Sequence, residues 1–297
     1  MTKGERRDLR NGLFFAGPYL LGASALIIYP FAASLYFSMT KYNVVSPPVW
    51  VGLDNYATIF TQDDKFWTAV YNTLFFTVFA VPLQLTLSIT LAALLSQGLR
   101  GTTVFRTIFF LPSIVPIVAT SVLWLWILNP DSGLINGLLN QIGIMNTPGW
   151  LADPNWSKPS FILMSLWVIG TPMVVFMAGM TDVPRSLYES ADIDGAGPIT
   201  KFRHITIPMI TPTILFNMVM GLILAFQYFT EVFVMTAGTG RPADSTLFYA
   251  LYLYQNAFNY LRMGYASALA WMLFVLVLFI TVMILISSKR WVHYHGE

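Results

Sequence analysis

PRSLYESADIDGAGPITKFRHITIPMITP, residues 184–212, sets Arg185, Glu189, Asp192, Asp194, Lys201 and Arg203 between two strongly apolar runs, with Asp182 just before it. Only 10% of the chain is charged, so this density marks a polar island. Pro184 suits the first turn of a helix, where its missing N–H would be unpaired anyway. Leu187, Ala191 and Ile193 are expected to share or border one apolar face of that helix. Asp194-Gly195 supplies a stop, because glycine takes the left-handed conformation that closes a last turn. Pro198 can open a second short helix through Arg203, with Phe202 and Ile205 as its apolar side, and Pro208 and Pro212 punctuate the start of the next apolar run. The island therefore predicts a helix, a turn and a helix at a membrane surface. Small residues at Ser190, Ala191 and Ala196 admit close approach by another protein, and Glu189 and Asp192 offer anions to a basic partner.

The surrounding chain sets the class. It has 297 residues, 56% of them hydrophobic, with 9 Trp, 14 Tyr and 23 Phe. A soluble domain of this size could not hide so much apolar surface. Apolar runs occupy about 13–39, 70–95, 104–128, 161–181, 213–237 and 268–287, each long enough to cross a hydrocarbon layer of roughly 30 Å. The first is longer than a signal-peptide core and reads as a retained span. The fold class expected is all-α, a single polytopic domain of six transmembrane helices with the island as its cytoplasmic helix-turn-helix; alternating strands of a membrane barrel do not fit such continuous runs. Prolines 30, 82, 112, 116 and 172 fall inside spans and imply kinked, mutually packed helices.

Eleven of the sixteen Lys and Arg residues lie at the N-terminus, at Arg100 and Arg106, in the island, or at Lys289 and Arg290. Lys41, Lys65, Lys158, Arg241 and Arg262 occupy the other side, so the positive-inside rule puts the termini and the island in the cytoplasm. A net charge of +2 gives no reason to expect nucleic acid as a partner. Cysteine is absent, and His204, His293 and His295 form no metal-spaced cluster with carboxylates. The pattern Gly-x-x-x-x-Gly-Lys-Ser/Thr is also absent, so ATP hydrolysis is expected to come from a partner.

Glu189-Ser190-Ala191, three residues, Gly195, nine residues, then Ile205-Thr206-Ile207-Pro208 resembles the EAA motif of permease subunits of ATP-binding-cassette importers. The Asp194-Gly195-Ala196 core and Phe202 agree as well; Ser190 and Ile207 depart mildly, standing where the family usually has Ala and Leu. Gly52-Leu53-Asp54-Asn55-Tyr56, Asn72-Thr73, the segment from Leu111 and GYASALAWMLF from Gly264 are similar to the carbohydrate branch, of the maltose and glycerol-phosphate type. The resemblance implies a non-catalytic subunit of a bacterial or archaeal cytoplasmic membrane, surrounded by lipid. Its implied partners are a second homologous permease, two ATPase subunits that bind ATP and Mg, and an extracellular lipoprotein or periplasmic protein that delivers substrate. It further implies that Glu189, Ala191, Asp194, Gly195, Phe202, Ile205 and Pro208 couple to the ATPase.

Glu231 is the one ionisable residue well inside an apolar run, which makes it a functional expectation. A continuous helix from Pro212 would carry it about 28 Å along, near the outer rim. Gln227 and Tyr228 lie one turn deeper and suit hydrogen bonds to sugar hydroxyls; the resemblance adds Ser267 and Trp271 to the substrate path. Two other cargo or energy classes remain open at this point: a glycerol phosphate or other polyol carried by the same importer type, and an ion-coupled secondary sugar transporter. The first would favour basic groups along the path and the second a midplane acid pair; no run has Lys or Arg in its interior, and no midplane acid pair is present. A membrane-embedded enzyme would need clustered His, Asp or Glu at one depth, which the chain also lacks.

Overall fold

The computed structural model describes residues 2–98 and 101–293. Arg100 and His295 lie outside the described residues. Helices dominate, and the sole sheet among the described residues is a two-stranded hairpin pairing Thr40–Lys41 with Val49–Trp50. Four helices are long and apolar enough to cross a membrane: Asn11–Ser38, Asp64–Leu95, Thr211–Met235 and Met263–Ser288. Two bent pairs, Thr102–Ile114 with Ile117–Ile127 and Pro154–Val168 with Gly170–Thr181, bring the number to six when each pair is one span. The second and fourth spans begin earlier than hydropathy suggests. Asp64 and Lys65 therefore sit in the first turn of a helix and Lys158 in the second turn of another, rather than in loops.

In hydrocarbon an unpaired backbone group costs several kcal/mol, so every departure from regular helix needs a local remedy. Prolines supply some departures. Pro30 and Pro208 each follow a π-helical turn, Ser24–Ile28 and Phe202–Thr206, in which Tyr29 N–H reaches Ser24 O and Ile207 N–H reaches Phe202 O. The wider turn makes room ahead of a residue whose ring clashes with the normal i−4 carbonyl. Pro112 and Pro116 flank a 100° bend between the two parts of the third span. Pro82, by contrast, sits inside an unbroken 32-residue helix. The fourth span bends by 48° at Ile169, where Gln84 Nε2 donates to Ser165 O at 2.9 Å and Ser88 Oγ to Ile169 O at 3.3 Å. Side chains of the second span thus satisfy carbonyls that the bend releases.

The chain divides into two compact units, Met1–Asp63 with Leu253–Phe274, and Asp64–Tyr252 with Val275–Glu297. In the first unit, Asn55 Nδ2 donates to Ser38 O and Thr40 O at 2.8 and 3.0 Å, and Tyr56 Oη donates to Ser38 Oγ at 2.8 Å, tying off the end of the first span. Gly264 lies so close to Thr40 that a Cβ there would come within 2.0 Å of its carbonyl oxygen. In the second unit, Asn72, 1% exposed, donates through Nδ2 to Asp244 O at 2.8 Å and Leu247 O at 3.1 Å, while Thr73 Oγ1 accepts from Tyr249 N–H at 2.8 Å. The extramembrane loop before the sixth span is pinned to the second by these two residues.

Gly170 lets the fourth span approach the third at backbone distance, since a Cβ there would lie 2.2 Å from Phe109 O. Small residues at such crossings replace the hydrophobic drive that lipid removes. Gly170→Ala is expected to lower the thermal unfolding temperature of the purified protein clearly, by a loss of about 1–3 kcal/mol from overpacking; an unchanged midpoint would contradict this packing role.

Candidate functional site

The island folds as Arg185–Ile193, a turn, and a second helical segment from Pro198 through a π turn to Met209. That second segment is longer than the sequence suggests, because the π turn lets it run on past Arg203 to Pro208. Asp194 is the C-cap and Gly195 follows at φ +74°. Gly195 N–H bonds Asp192 O at 3.1 Å and Ala196 N–H bonds Ala191 O at 2.8 Å, the paired arrangement of a Schellman turn. A Cβ at Gly195 would meet nothing within 4 Å, so glycine is required there by backbone conformation rather than by space.

The base of the island is fixed. Tyr188, Phe202, Ile205 and Ile207 pack against a buried cluster of Ala92, Leu95, Met173, Phe176, Met177, Met180, Val183 and Ile210. Tyr188 Oη and Thr206 Oγ1, 2.9 Å apart, join the two helices, and Lys201 pairs with Asp192. Asp192 thus shares its charge with Lys201 inside the island and, like Glu189 and Asp194, is exposed. The apolar face expected from Leu187, Ala191 and Ile193 is not the buried one. Tyr188 points to the core instead, leaving Leu187 exposed and Ile193 88% exposed. Ile199, across the turn, is 81% exposed. Sequence reasoning missed Tyr188, Thr206 and Ile199. An apolar Ile199 directly after the Gly-Pro pair was the available signal.

The fifth span is interrupted. Helix Thr211–Phe226 ends, Gln227 to Phe229 are non-helical, and Thr230–Met235 resumes the span with Glu231 in its first turn. The continuous-helix count for Glu231 therefore fails. Phe229, at φ −136° and ψ −57°, departs from helical geometry just before the helix resumes. The Tyr228 ring stacks on Phe76 at 4.4 Å and meets Phe248 and Phe161 edge-on at 5.8 and 6.0 Å. Its hydroxyl is buried without a hydrogen-bond partner, as are Thr77 Oγ1, next to Phe76, Ser113 Oγ at the bend of the third span, and Trp124 Nε1 in that span. Gln227 is exposed.

Ser267 and Trp271 belong to the other compact unit. Ser267 is half-buried. Trp271 packs on Phe31 and Phe274 with ring centroids 4.6 and 5.4 Å away, and donates Nε1–H to Ser34 Oγ at 3.1 Å. No cluster of three His, Asp or Glu side chains that could hold a metal occurs among the described residues.

The family model described as "Binding-protein-dependent transport system inner membrane component" matches residues 84–293. The chain belongs to this family. The permease is 40% identical over 297 residues to the probable ABC transporter permease protein YesP of Bacillus subtilis, covering 100% of this chain and 96% of that one. It is 36% identical to the lactose transport system permease protein LacF of Rhizobium radiobacter, covering 90% of each chain. It is also 32% identical to the sulfoquinovosyl glycerol transport system permease protein SmoG of Agrobacterium fabrum, with 92% and 89% covered. Among solved structures, a chain of a bacterial alginate ABC transporter, in complex with a periplasmic protein bound to alginate pentasaccharide, superposes with a TM-score of 0.84 at 24% identity, covering 96% of each chain. This likeness shows the fold. The family resemblance carried by the island thus holds, and the permease is a transport component of an inner membrane.

Tyr228→Phe removes a buried hydroxyl that has no partner. An unmade hydrogen bond costs about 1–3 kcal/mol, so the variant is expected to unfold at the same temperature as the parent or a few degrees higher. A marked fall in the unfolding midpoint of the purified protein would mean that the hydroxyl is already satisfied.

Proposed function

We propose that the permease is the membrane-spanning subunit of an ATP-driven importer for a sugar or oligosaccharide handed over by an external binding protein. In this reading it pairs with a second, homologous permease and rests on two ATPase subunits, which bind ATP and Mg and hydrolyse the nucleotide. Its termini and the island face the cytoplasm, as the distribution of Lys and Arg supports. The observation that carries the reading is the build of the island: a base locked into the helix core, and a tip that presents Ile193 and Ile199 around a glycine turn. Apolar side chains exposed on a rigid mount suit a cleft on another protein, and rigidity lets a push at the tip move the fourth and fifth spans together. Glu189, Ala191, Asp194, Gly195, Phe202, Ile205 and Pro208 are the residues assigned to this coupling. Glu189 and Asp194 supply surface charge, Ala191 and Gly195 close the turn, and Phe202, Ile205 and Pro208 seat it.

The break in the fifth span is the proposed substrate path. Interrupted helices place polar groups at membrane depth where a cavity is lined. The fourth-span bend is sealed by Gln84 and Ser88, whereas this break leaves the Tyr228 hydroxyl unpaired beside aromatic rings, the kind of side chain that suits sugars. Gln227 and Glu231 flank it as hydrogen-bonding partners, and Ser267 and Trp271 join the path by family resemblance. The sugar cargo is supported by the lactose and sulfoquinovosyl glycerol permeases among its relatives.

Gly195→Leu is expected to lower binding-protein-dependent sugar uptake in proteoliposomes at least tenfold while the complex still assembles, because a Cβ in the left-handed region costs about 1–2 kcal/mol and reshapes the tip. Uptake at the parental rate would refute the coupling role. Tyr228→Phe should reduce uptake efficiency roughly three- to tenfold, the worth of one hydrogen bond, and leave basal ATP hydrolysis unchanged; an equal loss of both would assign Tyr228 to packing.

A further inference from the structure

Between the second and fourth spans lies an open, apolar surface groove of about 620 Å³, lined by Phe75, Val78, Phe79, Pro82, Leu83 and Leu163 among others. Its lining runs along the second span from Phe75 to Thr86, about 16 Å at 1.5 Å per residue. At the Phe75 end stands Lys158, the residue before the groove-lining Pro159. Lys158 Nζ lies 5.5 Å from the Tyr71 ring centroid and 5.7 Å from that of Phe75, and donates to Asn72 Oδ1 at 3.2 Å. It has no carboxylate partner among the described residues. Two aromatic faces and one amide hold the ammonium in place, and two of its three N–H donors remain unassigned.

The depth of this cation is marked independently. Trp67, Tyr71 and Trp156 are all exposed, and exposed Trp and Tyr at the start of two adjacent spans form an aromatic belt at headgroup level. A fixed cation at headgroup depth without a carboxylate partner, at the end of an open apolar groove that runs along the second span, has the charge and shape of one ligand class. We propose that this groove is a specific site for an anionic glycerophospholipid, with its phosphate on Lys158 and one acyl chain laid along Phe75, Val78, Phe79 and Leu83. The site is separate from both the coupling tip and the break in the fifth span, and holds whatever the cargo proves to be. Asn72 links it to the rest of the fold, because the same amide that accepts from Lys158 pins the loop at Asp244 and Leu247.

The test uses the complete transporter complex, solubilised and incubated with an equimolar mixture of phosphatidylglycerol and phosphatidylcholine, with retained lipids counted by native mass spectrometry. The parent should retain phosphatidylglycerol preferentially. Lys158→Gln should reduce that preference roughly fivefold, the effect of one cation near an anionic headgroup, and Lys158→Arg should restore it. Val78→Trp, which fills the groove from an exposed position, should displace lipid of either headgroup. Equal retention by the parent and Lys158→Gln would overturn the proposal. So would a photo-crosslinking side chain at position 78 that captures the second permease rather than lipid, since the groove would then be a subunit interface.

Discussion

The cost of an unpaired backbone group in hydrocarbon governs this structure. Where the chain stays helical the cost vanishes, and where it does not, a specific side chain or a widened turn removes it. Gln84 and Ser88 do this at the bend of the fourth span, Asn55 at the end of the first, and π turns ahead of Pro30 and Pro208. The break at residues 227–229, like the third-span bend at Ser113, is less fully sealed. It adds a buried hydroxyl, that of Tyr228, which the fold leaves unpaired. The coincidence of an interrupted helix with a buried, unpaired hydroxyl is why we propose substrate binding here.

The same constraint explains how a surface island can move a membrane bundle. Its two helices are cross-linked by Tyr188 with Thr206 and by Lys201 with Asp192, and its base is continuous with the core made by the second and fourth spans. Packed cores shift between discrete arrangements rather than deforming smoothly. In the proposed coupling, a displacement at Ile193 and Ile199 would reach Met173, Phe176 and Met180 as a rigid-body motion.

Much of this was legible in the sequence. The apolar runs and the glycine turn depend on local chemistry: charge placement, a proline at a first turn, a glycine at positive φ. The stretches around Asn55, Asn72 and Gly264 resemble a known branch, and the structure gives each a mechanical meaning as a pin or a close crossing. What stayed hidden depends on distant partners. FQYFTE, residues 226–231, holds neither Gly nor Pro, so nothing local announces a break. Tyr228 leaves helical geometry to stack on Phe76 in another span. Likewise Trp271 looks like a sugar platform in sequence, yet its ring and N–H are engaged by Phe31 and Ser34. The burial of Tyr188 in place of Leu187 and Ile193 follows from which face the core offers, information that no single helix contains.

The central claim, that the island is where ATP-driven motion enters the permease, is open to one direct measurement. The chain has no cysteine, so Ile193→Cys installs a single thiol at the tip. In inside-out vesicles containing the whole complex, a short bifunctional crosslinker should join this thiol to an ATPase subunit, with a yield that changes when ATP is bound. In intact cells a membrane-impermeant maleimide should not reach it. Labelling from outside, or crosslinking only to the second permease with no dependence on nucleotide, would contradict the account.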